Sequence, residues 1–268
     1  MTLLIASATQ NEQIIAADRL LTDIRTQNKY SDSAYKIIQY INPIRGYKFA
    51  IAYTGLAVIG RQPTSEWLLD ILPQVMPSNT YVGNGITNLT IECTRRFREI
   101  RNIPLQYKGI TFVLCGQYQG TVGNNNTIRN IPFVSIISNS IDARGRQINK
   151  VSREFYAFEK RILDSKSYFH ICRGDLVTAG KSIKELHQLY RLLRKKLPYK
   201  AKVRSMATYI RKQAKKSKTI GNDILGLAII DTGAEAFDYH DRNNNPSVTM
   251  PHIAWADGAK LTNFTVRP

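Results

Sequence analysis

An α+β fold, with two sheets stacked between helical layers, is what this 268-residue sequence predicts. Three observations lead there. Strand-like segments alternate with pairs of helical segments in the order strands, helix pair, strands, helix pair, strands. The apolar spacing in each helix pair leaves one face to cover a sheet and the other to meet solvent. No internal repeat and no linker rich enough to divide the chain interrupts this order, so residues 2–268 are expected to form a single domain, with no clear pattern in the tail from about 243.

Leu3–Ala8 and Gln13–Asp18 are short apolar runs joined by the polar Thr9-Gln10-Asn11-Glu12, which reads as a hairpin turn. Tyr35–Ile41 and Lys48–Tyr53 form a second pair across Asn42-Pro43 and Arg45-Gly46. Trp67, Leu68, Ile71, Leu72 and Val75 then fall on one helical face after Pro63-Thr64, with Pro73 and Pro77 marking the expected end. Ile86, Leu89, Cys93, Phe97 and Ile100 repeat the spacing. Strands return at Gly109–Cys115 and Phe133–Ser138, separated by a loop expected at Gly120–Asn126, and Asp142–Arg146 reads as a turn. Tyr168–Cys172 and Leu176–Thr178 are weaker strand candidates. A third helix follows from Ile183 to Leu197, ended by Pro198, and a fourth carries Val203, Met206, Ile210 and Ala214. Ile224–Ile230 is a buried strand, with Ala234–Tyr239 its partner.

Composition narrows the function classes. At 43% hydrophobic residues and a mean hydropathy of -0.28 the chain suits a soluble globular protein. No apolar run approaches the ~20 residues that span a bilayer, and no export signal is expected at the start. Cys93, Cys115 and Cys172 form no CxxC pair and fit a reducing cytoplasm. His170, His187, His240 and His252 lack metal-ligand spacing, so neither metal nor cofactor is expected. The formal charge is +18, and twelve basic residues lie between Arg191 and Lys218 without one acid. That run can be the footprint of nucleic acid. Its helical apolar spacing favours the solvated face of helices three and four, and it holds only Tyr199 and Tyr209 as aromatics. His170-Ile171-Cys172 is more simply a strand than a catalytic pair, and Gly120–Gly123 lacks the full phosphate-binding fingerprint.

The residue richest in chemistry is Thr2. Removal of Met1 would leave its hydroxyl and a free α-amine on one residue, a recognised way to activate threonine as a nucleophile. An α-amine of pKa about 7.7–8.0 keeps a usable neutral fraction near pH 7. Asp18 closes the run Ala16-Ala17-Asp18, Lys36 opens Lys36-Ile37-Ile38, and Gly55 follows Phe49–Tyr53.

Thr2, the sixteen-residue step to Asp18, Lys36 and Gly55 together resemble the proteasome β-subunit family of N-terminal nucleophile hydrolases. The resemblance is specific over residues 2–60 and looser to about 235. The Gly180-Lys181-Ser182 turn and Ser217-x-Thr219-Ile220-Gly221 resemble more closely the bacterial proteasome-related group called Anbu. The resemblance implies an αββα sandwich and peptide-bond hydrolysis. It implies that Asp18 orients Lys36, that Lys36 stabilises the Thr2 alkoxide and relays its proton with the α-amine, and that the Gly55 N–H donates to the oxyanion. It makes Ser182 a candidate catalytic residue and places Ser217 and Thr219 in supporting positions, without the carboxylate that the family carries after its fourth helix. Backbone groups of Thr22 would pair with an extended substrate. Leu21, Ala34, Ile38, Tyr53 and Ala57 would line an apolar pocket for the residue before the scissile bond. A homo-oligomeric ring or stack and an ATPase partner are also implied. The alternatives are a catalytically silent ring subunit and, less favoured, a basic nucleic-acid-binding protein.

Overall fold

The computed structural model describes residues 2–22, 29–31, 34–59, 62–122, 127–174, 183–239 and 247–262. The first third holds strands β1 (Leu3–Ala8), β2 (Glu12–Asp18), β3 (Leu21–Thr22), β4 (Lys29–Ser31), β5 (Ile37–Asn42), β6 (Tyr47–Gly55), β7 (Val58–Ile59) and β8 (Gln62–Pro63). Helices α1 (Thr64–Val75) and α2 (Val82–Glu99) follow, then β9 (Ile110–Val122), β10 (Thr127–Ser138), β11 (Tyr156–Arg161) and β12 (Phe169–Gly174). The last third holds α3 (Ile183–Leu193), α4 (Tyr199–Ala214), β13 (Ile224–Ile230), β14 (Gly233–Tyr239), β15 (Ser247–Thr249), β16 (His252–Trp255) and β17 (Lys260–Leu261).

The main strands form a six-stranded sheet, β12-β1-β2-β13-β14-β15, and a seven-stranded sheet, β11-β10-β9-β6-β5-β16-β17. Three apolar clusters hold the elements together. Trp67, Leu72, Leu89 and Phe97 of α1 and α2 pack on Tyr40, Phe49 and Phe112 of the seven-stranded sheet. Leu4, Ile15 and Leu227 of the smaller sheet meet Ile37, Ala52 and Val113 of the larger. Leu193 of α3 and Met206 and Ile210 of α4 pack on Leu3, Ile14 and Ile224. Strands β1, β2 and β13 therefore bury both faces, one against the other sheet and one against helices. That is why their sequences run nearly unbroken in apolar residues instead of alternating.

Several expectations are revised. Gly120–Val122 belong to β9, not to a loop, since the β9–β10 ladder continues to Val122↔Thr127; residues 123–126 lie outside the described residues. Pro73 sits inside α1, which ends at Val75. Helix α3 ends at Leu193 rather than Leu197, and α4 starts at Tyr199 directly after Pro198, whose fixed φ suits a helix entry. Strand β11 was not expected. The tail is also ordered into pairing: β16 lies parallel to β5 with His252↔Ile38 in register, whereas every other named pair is antiparallel. The expected strand at Leu176–Thr178 lies outside the described residues. No helix among the described residues is long and apolar enough to cross a membrane.

Candidate active site

The strand registers bring four distant segments to one edge of the two sheets. Asp18, the last residue of β2, pairs with Ile224 at the start of β13, and Leu3 at the start of β1 pairs with Gly174 at the end of β12. Lys36 immediately precedes β5, and Gly55 ends the adjacent β6.

At this edge the Lys36 side chain is wholly buried and its ammonium meets three oxygens. Nζ donates to Thr2 Oγ1 at 2.5 Å, to Asp18 Oδ1 at 3.0 Å and to the Leu20 carbonyl. An ammonium has three protons, so every donor is used. Asp18 is held in turn by two main-chain donors, Leu3 N–H on Oδ2 at 2.6 Å and Leu20 N–H on Oδ1 at 3.0 Å. Burial lowers the Lys36 pKa below the usual lysine value, and the Asp18 charge and hydrogen bond oppose that fall. Taking an ammonium out of water costs several kcal/mol, and apolar side chains of similar volume often fill such a site at lower cost. Packing alone therefore gives no reason for a lysine here; its ammonium serves the Thr2 hydroxyl and the Asp18 carboxylate together.

Thr2 is fixed through its main chain as well. Thr54 Oγ1 donates to the Thr2 carbonyl at 3.0 Å. Gly174, with φ of +125°, lies so close that a Cβ there would stand 1.6 Å from the same carbonyl oxygen. The Thr2 main chain is thus held by Thr54 of β6 and packed against Gly174 of β12.

Solved structures with this architecture give the fold its place. A Gly-1 mutant of Anbu from Hyphomicrobium sp. strain MC1 superposes with a TM-score of 0.55, at 14% identity over 93% of this chain and 85% of that one. Anbu, described as an ancestral beta-subunit, from Yersinia bercovieri gives 0.52 at 12% identity over 85% and 82%. This chain has the Anbu fold. No protein-family model and no curated protein matches the sequence.

The remaining expected residues divide. Thr2, Asp18 and Lys36 are brought into direct contact. Gly55 adjoins Thr54, which holds Thr2, and its own backbone requires the glycine. Its φ is +111°, and a Cβ would come 2.1 Å from the Gly109 carbonyl oxygen, so the backbone itself admits no side chain. Leu21, Thr22, Ala34 and Ala57 are half-buried, whereas Ile38 and Tyr53 are closed inside the core beneath α1. Burial raises the Tyr53 pKa, and its hydroxyl bonds with Ser65. Ser217 and Thr219 face each other, hydroxyl to hydroxyl at 2.8 Å, on the approach to β13. Ser182 lies outside the described residues. Thr54, Gly174 and the Leu20 carbonyl were missed. Thr54 could have been flagged by its place beside Gly55, but nothing in the sequence marks Gly174.

Proposed function

We propose that this chain is a proteasome-like threonine peptidase whose nucleophile is Thr2, exposed as the N-terminal residue when Met1 is removed. The observation that carries the reading is the Lys36 ammonium, buried and shared between the Thr2 hydroxyl and the Asp18 carboxylate. Because Oγ1 accepts a hydrogen bond from Lys36, its own proton is lost in another direction, and the free α-amine of Thr2 is the base that takes it. The oxygen then attacks the scissile carbonyl, and Lys36 opposes the negative charge that builds on Oγ1. The Gly55 N–H serves the oxyanion. Collapse expels the amine with the transferred proton and leaves an acyl ester on Thr2, which water hydrolyses by the reverse relay. Asp18 orients Lys36 and offsets the cost of burying its charge. Ser182, Ser217 and Thr219 support the α-amine in this reading, and Thr22 aligns an extended substrate. Leu21, Ala34 and Ala57 form the mouth of an apolar pocket with Ile38 and Tyr53 as its floor. None of these five residues is an acid, so apolar residues are preferred before the cleaved bond.

The same reading takes the three apolar clusters as the interiors of an αββα sandwich. It also takes the protein as a cytoplasmic homo-oligomer, a ring or stack, served by an ATPase. A second reading, a silent structural subunit, is favoured by one observation: Thr2 is only 3% exposed. Peptide hydrolysis separates the two. Thr2→Ala and Lys36→Ala are expected to lose at least a thousandfold in rate while keeping the parent's circular dichroism, within the range lost when a catalytic group is removed. Equal rates in Thr2→Ala and parent would remove the threonine mechanism.

A further inference from the structure

A 630 Å³ cavity lies where the C-terminal end of α2 meets the segments just before β9 and just after β10. Its volume is within the roughly 300–1,000 Å³ of ordinary ligand sites. The floor is apolar, with Phe97 and Ile100 buried and Leu105 partly exposed. The wall is basic: Arg98, Arg101, Lys108 and Arg153 face it against a single acid, Glu154.

Two of those cations are already committed. Arg98 pairs with Glu154 at 3.0 Å, and Lys108 Nζ donates to the Ile100 carbonyl, closing the negative end of α2. Arg101 and Arg153 are exposed and have no acid within salt-bridge distance among the described residues. Uncommitted guanidinium groups above an apolar floor suit a ligand that carries a carboxylate beside an apolar group.

The cavity's position selects what delivers that ligand. Asn139 is buried and ties the cavity wall to the start of β9, accepting from Ile110 N–H at 3.0 Å and donating to the Lys108 carbonyl at 3.0 Å. Between them lies Gly109, whose carbonyl oxygen abuts Gly55. Gly55 on β6 is thus two strand spacings from β10, about 10 Å, or roughly three residues of extended chain.

We propose that this cavity is a subsite for acidic–apolar segments of a peptide, engaging residues about three to four positions from the bond held at Thr2. The proposal rests on the peptidase reading for its substrate, and its binding can be measured without turnover. Arg101 and Arg153 are the specificity-determining residues, and Leu105 contributes the apolar contact.

The test uses the full chain carrying Thr2→Ala and two dye-labelled peptides of identical apolar sequence, one bearing a Glu-Glu pair and the other Gln-Gln. Fluorescence anisotropy is expected to show tighter binding of the Glu peptide, weakened by added salt. The further change Arg101→Glu with Arg153→Glu should reduce that affinity about tenfold and leave the Gln peptide unaffected, in keeping with two exposed charge contacts. Equal affinity for the two peptides, or no effect of the charge reversals, would overturn the proposal. So would an RNA oligomer of equal charge that displaces the Glu peptide and binds more tightly at the same arginines. If the Glu preference holds while no peptide is hydrolysed by the parent, the subsite stands and the peptidase reading falls.

Discussion

The buried pair at the centre of the site is asymmetric in what each partner has besides the other. Asp18 keeps two backbone donors, Leu3 N–H and Leu20 N–H, if Lys36 is removed. Lys36 without Asp18 keeps only neutral acceptors, the Thr2 hydroxyl and the Leu20 carbonyl. Asp18→Asn is therefore expected to destabilise the fold by about 3–5 kcal/mol, the usual cost of orphaning one member of a buried pair. Lys36→Met should cost less, and urea titration of the two variants checks the order. A second residue makes stability depend on pH. The His170 ring bonds Ser7 Oγ at 2.9 Å, and burial, with the Arg194 and Lys202 charges, lowers its pKa to about 4. Above the unfolded value near 6.5 both states are neutral. As pH falls toward 4 the unfolded chain takes up a proton that the folded one refuses, so stability is lost. By pH 5 this amounts to about 1–2 kcal/mol, discounted for the part of the ring that solvent reaches. His170→Gln should lose less stability between pH 7 and pH 5 than the parent by that amount. In the sequence, Thr2, Asp18 and Lys36 were legible as residue types in a specific spacing. Gly174 was not, because its role depends on β12 closing over β1, a contact between residues 172 positions apart.

At the scale of elements, legibility followed length and apolar content. Helices α1, α2 and α4 and strands β2 and β13 carry enough apolar residues for their period, or its absence, to be read. The distal part of the β9–β10 hairpin does not, for its ladder is made of main-chain bonds that need no apolar partner, and Ile128 there is 69% exposed. The tail strands β15, β16 and β17 are three, four and two residues long, too short for any period to emerge. Yet β16 covers the β5 edge, Ala254 is fully buried in the α1–α2 core, and Lys260 pairs with Asp70 of α1 at 2.5 Å. A chain ended at residue 246 should thus lose several kcal/mol, as expected when a core-lining strand is stripped from its sheet. A urea midpoint equal to the parent's would show that β16 adds nothing to the fold.

Across the whole molecule the charge of the α3–α4 region proves less extreme than its sequence suggests. Lys200 pairs with Glu235 at 3.2 Å, Lys202 with Glu12, and Lys212 and Lys216 both with Glu185, at 2.9 and 3.3 Å. Among the described residues, acids from three other parts of the chain thus answer four of these cations. Arg194 rests its guanidinium over the Tyr168 ring at 4.1 Å. These contacts could not be read locally, since the run from Arg191 to Lys218 contains no acid. They weaken the case for nucleic acid, because a surface shaped for phosphates would leave its cations uncommitted. The α+β order was legible because each helix pair had one sheet to cover. The Thr2–Lys36–Asp18 contacts were legible because these residue types stand at particular strand ends.

The most direct measurement is the intact mass of the purified protein before and after treatment with a threonine-directed covalent inhibitor. A chain lacking Met1 is expected to gain one inhibitor mass, with fragmentation placing it on Thr2, and no adduct is expected on Thr2→Ala or Lys36→Ala. Met1 retained throughout the preparation, or an adduct on any other residue, would contradict the threonine mechanism.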